Sequence, residues 1–140
     1  MPAPPPAARW APWARLLAYA GLLFGLSSLP SVPLEPAWPQ GDKLLHFLAY
    51  VPLGWLTHRA FASLGMAKGR PWRLRLAALG AAALYAASDE WHQALVPGRT
   101  ADLADWAADL LGIGAGIALA ARLRPAPGVV SPIDNPRYDL

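Results

Sequence analysis

The sequence predicts an all-α, polytopic membrane protein: an antiparallel bundle of four transmembrane helices. Three observations carry that expectation. Of 140 residues, 55% are hydrophobic and 15% charged, where a soluble domain carries about a quarter charged side chains. The apolar residues gather in four blocks, each close to the ~20 residues a helix needs to cross a hydrocarbon core. The charges lie between the blocks and near their ends, with the two signs segregated. The length allows one domain, divided into a disordered Pro/Ala-rich leader over 1–13, a four-helix transmembrane domain over 14–123 and a disordered cytoplasmic tail over 124–140. The absence of cysteine excludes a disulfide framework, a thiol nucleophile and a cysteine metal site.

Block one runs from Leu16 to Leu34, with no ionisable residue between Arg15 and Glu35. Its helix should stop near Leu29, because Pro30 and Pro33 follow. Arg9 and Arg15 ahead of an apolar run look like a signal peptide, but no small-x-small cleavage site follows, so an uncleaved first helix is expected. Block two spans Leu44 to about Leu64, interrupted by His46, His58 and Arg59. Block three spans Leu76 to Val96, with Asp89, Glu90 and His92 in its second half; block four spans Leu103 to Ala121, with Asp105 and Asp109 in its first half. Amphipathic soluble helices keep a polar face along their whole length, whereas the middles of these blocks are apolar all round.

Four spans put both termini and the loop between blocks two and three on one side. That side holds ten of the twelve basic residues, leaving Lys43 and Arg99 opposite, and seven of the nine acidic residues lie toward the second side. Lys and Arg mark the cytoplasmic side, so the expectation is a multi-pass inner-membrane protein with cytoplasmic N- and C-termini. Trp10, Trp13 and Trp72 fall at the inner boundary and Trp38, Trp91 and Trp106 near the outer one, as an aromatic belt requires; Trp55 falls within the inner half of block two. The sequence pI of about 9.7 reflects juxtamembrane arginines suited to anionic lipids, not a nucleic-acid-binding face.

The polar residues converge at the outer ends. Lys43, His46 and Tyr50 share one helix face at i, i+3, i+7. Asp42 is either a helix cap held by the dipole or a member of that face, and His46 and Tyr50 are equally suited to interhelical hydrogen bonds. On block three, Glu90 and Gln93 share a face, while Tyr85, Asp89 and His92 share another; Glu90 is expected inside, Asp89 and His92 at headgroup level. Pro97 and Gly98 predict a tight reversal, in which Arg99 either pairs with a carboxylate or grips a phosphate or carboxylate bidentately. Block four carries Asp102, Asp105, Asp109, Gly112 and Gly116 along one stripe. Gly112 and Gly116 form a small-x-x-x-small packing surface, which turns Asp105 and Asp109 into the bundle as well; Asp102 is also placed to cap the helix.

Three stretches, DKLLHFLAY (42–50), DEWHQALVPGR (89–99) and DLADWAADLLGIGAG (102–116), resemble the VanZ-like membrane protein family. The likeness rests on D-K-x-x-H-x-x-x-Y, E-x-x-Q-x-x-x-P-x-R and D-x-x-x-N/D-x-x-G and covers about residues 15–122. The family commonly carries Asn where this chain has Asp109. The resemblance implies a small bacterial integral membrane protein, of a family whose namesake contributes to resistance to teicoplanin, a lipid-tailed glycopeptide.

The leading expectation is a non-catalytic protein whose outward polar site binds or modulates an envelope component: a lipid headgroup, a lipid-linked intermediate or a lipopeptide. Arg99 and Lys43 would contact an anionic group, with His46, Glu90 and Asp105 shaping the pocket. The alternatives are an intramembrane enzyme using His46 and Glu90 on a lipid headgroup, and a purely structural buried network. No G-x-S-x-G, H-E-x-x-H or arginine-rich phosphatase spacing is present. Asp105, Asp109, Glu90 and His46 are residue types that hold a divalent ion, but nothing fixes a ligand count, so no metal or other cofactor is expected. Membrane lipids are the expected partners, nucleic acid is not, and the oligomeric state is not fixed.

Overall fold

The computed structural model describes residues 6–30, 38–66 and 70–123. It is all-α, with four helices and no strand among the described residues: α1 (Pro6–Ser27), α2 (Gly41–Ser63), α3 (Pro71–Ala94) and α4 (Leu103–Arg122). α1 begins inside the stretch expected to be an irregular leader. Pro6 and the two alanines after it explain this, since proline is suited to a first helical position and alanine is the strongest helix former. The tail and Glu35 and Lys68 fall outside the described residues.

Local chemistry sets the other boundaries. α1 ends at Ser27, just ahead of Pro30. α2 opens after Gln40, a left-handed residue with φ 64° and no side-chain cap, so Asp42 lies in the first turn and is not the cap. α3 opens on Pro71. The α3–α4 reversal is closed by the Arg99 amide donating to the Val96 carbonyl at 3.1 Å, with Gly98 at φ 84°, the conformation a type II turn asks of glycine. Asp102 caps α4 by accepting from the Ala104 amide at 2.8 Å.

Glycine governs the α2–α4 contact. A Cβ at Gly54 would collide with the carbonyl of Ile113, one at Gly112 with that of Phe47, and one at Gly116 with that of Val51. The two backbones therefore touch directly, and Gly54 is a packing residue that the helical pattern does not single out. Around this pair, α3 presents Ala78, Ala82 and Ala86, which pack with Leu23, Tyr50, Leu53, Ile113 and Ile117. α1 is tied on by tyrosines: Tyr19 donates to the Ala49 carbonyl at 2.8 Å and Tyr85 to that of Ala20 at 2.6 Å. Trp13 at the start of α1 meets Phe61 near the end of α2, their rings 5.5 Å apart, as antiparallel neighbours must.

The outer surface stays apolar: Leu17, Leu22, Phe24, Leu48, Leu76, Leu84 and Leu111 are all exposed. Of the described helices, Leu103–Arg122 is long and apolar enough to cross a membrane by length and composition. α1, α2 and α3 are diluted by arginine, proline and, in the latter two, histidine and carboxylates within their bounds.

Candidate functional site

One end of the bundle gathers polar residues into two adjoining networks, one around Lys43 and His46 and the other around Asp89. The first joins the starts of α2 and α4 to the end of α3. Lys43 Nζ lies 2.8 Å from Asp42, 2.7 Å from Asp102 and 2.7 Å from Asp105. Its three protons thus have three carboxylates, and the anion-gripping role expected of it is already filled. Partial desolvation opposes the ammonium, but the hydrogen bonds to Asp102, Asp105 and Asp42 outweigh it and raise the Lys43 pKa above its ordinary value. The same hydrogen bonds from Lys43 hold the Asp42 and Asp102 carboxyls below the usual carboxylate range.

Deeper in, His46 Nδ1 meets Asp109 Oδ1 at 2.9 Å, and Nε2 lies 3.9 Å from Asp105 Oδ2. Side-chain exposure along α4 falls from 45% at Asp102 to 13% at Asp105 and 1% at Asp109, so the aspartate stripe descends from a wet mouth to a closed floor. Glu90 arrives from α3 and accepts the Asp102 amide through Oε1, fastening the end of α3 to the cap of α4. Its Oε2, like Asp109 Oδ2, is buried with no hydrogen-bond partner among the described residues. His46, Glu90 and Asp109 offer ligating atoms within 4.8 Å of one another, so among the described residues this trio is placed to hold a cation.

The second network corrects two expectations. Asp89 does not face outward: it is buried and accepts from Ser27 Oγ at 2.7 Å, Tyr50 OH at 2.8 Å and, more weakly, Gln93 Nε2 at 3.4 Å. His92 is half-buried against α1, stacked on the exposed Phe24 at 4.4 Å between ring centres and 3.0 Å from Ser28 Oγ. The reason is α1, whose C-terminal serines supply hydroxyls to the Tyr85–Asp89–His92 face. Tyr50 follows Asp89 and leaves the Lys43–His46 cluster, although all three share a helix face. Gln93, expected beside Glu90, bridges instead from Asp89 to Arg99, which donates to its Oε1 at 2.7 Å. Arg99 also reaches the Leu29 carbonyl at 3.5 Å and forms no ion pair with a carboxylate among the described residues, so of the two roles foreseen for it the pairing with a carboxylate is not the one it fills. It clamps the α3–α4 turn to the end of α1.

Both networks lie within residues 11–124, the stretch matched by the family model described as VanZ/LLP1. The chain belongs to the VanZ/LLP1 family. No curated protein and no solved structure matches it. In this VanZ/LLP1 protein the three motif stretches meet in space: 42–50 and 102–116 supply the Lys43–His46–Asp105–Asp109 cluster, and 89–99 supplies Glu90 to it and Asp89 to the network behind. Sequence reasoning missed Ser27 and Ser28, whose only signal was their place near the end of an apolar block that has no ionisable residue between Arg15 and Glu35.

Proposed function

We propose that this VanZ/LLP1 protein spans the inner membrane four times, with cytoplasmic termini and an extracytoplasmic cleft that binds the polar head of an envelope lipid or lipopeptide. The exposed leucines around the bundle support the membrane reading, because contiguous apolar surface of this kind is covered by lipid or protein. The exposed Trp38 and Trp91 at the polar end and Trp10 and Trp72 at the other fit interfacial belts. Arg15 with Arg59 and Arg75 with Arg122 flank grooves at the end away from the cleft, as the positive-inside rule asks. In α2 and α3 part of the polar content, Tyr50, Asp89, Glu90 and Gln93, is buried inside the bundle, while Arg15, Arg59, Arg73 and Arg75 are exposed toward the opposite end. A reporter fused after Leu140 is expected to read cytoplasmic and one inserted at Gly98 extracytoplasmic; the opposite pair of signals would overturn the orientation.

The observation that carries the binding role is the graded exposure from Asp102 to Asp109. A network built only to lock helices together would be closed and fully paired, whereas this one opens to solvent and ends in Glu90 Oε2 and Asp109 Oδ2, which have no hydrogen-bond partner among the described residues. Five carboxylates face Lys43 and His46 there, so the cleft suits a group that brings hydrogen-bond donors, such as sugar hydroxyls or an amine, better than a bare anion. A lipid-tailed glycopeptide of the teicoplanin kind has that chemistry. The second reading, an enzyme acting on a lipid headgroup, is favoured by the His46–Asp109 pair, the arrangement that orients a general base.

One assay separates the two. The purified protein in nanodiscs is incubated with labelled bacterial envelope lipids or teicoplanin, alongside His46→Ala and Asp105→Asn. Retention of an unchanged probe by the wild type, reduced at least tenfold in the variants, is expected. Chemical conversion by the wild type alone would establish the enzyme, and equal retention by all three would remove both roles.

A further inference from the structure

We propose that the floor of the cleft is a divalent transition-metal site formed by His46, Glu90 and Asp109. The inference deepens the reading of the cleft as a ligand site and rests on it. Three helices each send one ligating group to a common point, with the ligand atoms within 4.8 Å of one another. An imidazole nitrogen with two carboxylate oxygens suits zinc, manganese or iron rather than calcium or magnesium, which favour all-oxygen shells. Bound at about 2.1 Å from a tetrahedral ion, the three atoms would close to about 3.4 Å apart, a contraction that side-chain rotation supplies.

Two independent observations point to an occupant. Glu90 is 7% exposed and Asp109 1%, yet Glu90 Oε2 and Asp109 Oδ2 have no hydrogen-bond partner among the described residues. Buried carboxylates are costly unless they are paired, protonated or bound to metal; His46 meets only Asp109 Oδ1, and Lys43 is taken up by Asp42, Asp102 and Asp105. A doubly charged ion balances Glu90 and Asp109 with His46 neutral.

The surroundings supply the second requirement of such sites, a carboxylate that orients the ligating histidine through its other nitrogen. If the ion takes the place of the proton between His46 Nδ1 and Asp109, the Nε2–H donates toward Asp105 Oδ2, now 3.9 Å away. Asp105 is itself held by Lys43 at 2.7 Å. The open side of the site faces the mouth at Asp102, where a headgroup hydroxyl completes the coordination.

The test is metal binding by the full-length protein in nanodiscs. After chelation and dialysis, zinc titration with elemental analysis is expected to give one ion per chain, weakened at least tenfold in His46→Ala, Glu90→Gln and Asp109→Asn and unchanged in Arg99→Gln. Cobalt in the wild type is expected to give the visible absorption of a four- or five-coordinate nitrogen–oxygen site, which keeps the test decisive should a variant fail to fold. A wild type that binds less than a tenth of an equivalent, or equal affinity in all the variants, overturns the proposal. Headgroup retention by the chelated protein would show that the cleft stands without the metal, whereas zinc binding with no lipid retained would remove the headgroup reading and leave the metal.

Discussion

Gly116→Ala is expected to lower the stability of the bundle by more than a single methyl group ordinarily does. A Cβ there would overlap the Val51 carbonyl and approach the Trp55 nitrogen to 2.8 Å. Those are backbone atoms, so no rotamer change relieves the clash and α2 must move off α4. Overpacking costs about 1–3 kcal/mol, and more where the backbone shifts; here the shift also loosens the Gly54–Ile113 and Gly112–Phe47 contacts. Gly114→Ala is the matched control, because a Cβ at Gly114 meets nothing within 4 Å and alanine gains up to about 1 kcal/mol of helix propensity. Thermal unfolding in detergent should place Gly116→Ala well below the wild type and Gly114→Ala at or above it. Coincident melting of the two variants would mean that α2 and α4 do not touch at their backbones.

Asp89→Ala is expected to be the most damaging change outside the cleft. It removes the acceptor for the Ser27 and Tyr50 hydroxyls together. Ser27 has a second acceptor in the Phe24 carbonyl at 3.0 Å, but the buried Tyr50 hydroxyl would lose its acceptor, at a cost of about 1–3 kcal/mol. The change also unfastens the C-terminal end of α1, so limited proteolysis should cut near Leu29 faster than in the wild type. Adding Tyr50→Phe to Asp89→Ala should recover part of the loss, since the orphaned donor disappears with its hydroxyl; a double variant no more stable than the single one would show that the Tyr50–Asp89 bond contributes nothing.

The helices were legible where their stops are chemical, Pro30 after α1 and Pro97 with Gly98 before α4; the start of α3 at Pro71, five residues ahead of the apolar block at Leu76, was not. The aspartate stripe was legible for a related reason, since Gly112 and Gly116 identify the buried side of α4 and the spacing carries Asp105 and Asp109 to that side. Asp89 was not legible. Helical spacing gives angles around one axis, and placing Asp89 required knowing that Ser27 of α1 would stand opposite. Lys43 shows the same limit: its charge can be read from the chain, but its saturation by three carboxylates depends on how closely α4 approaches α2. Gly54 has no small residue four positions away to announce it, so its contact with Ile113 emerges only when the backbones are brought together.

Those glycine contacts have a consequence for how the cleft can diversify. The closest approach of α2 to α4 is set by carbonyls and bare Cα atoms below His46 and Asp109, and the Lys43 and His46 bonds to the α4 aspartates lie above that seam. Exchanges at positions 46, 105 and 109 therefore alter the chemistry presented there while the backbone contacts at the glycines stay in place. The bundle resembles a socket whose contacts can be swapped, so a single frame can accommodate different headgroups with the glycines at 54, 112 and 116 left untouched.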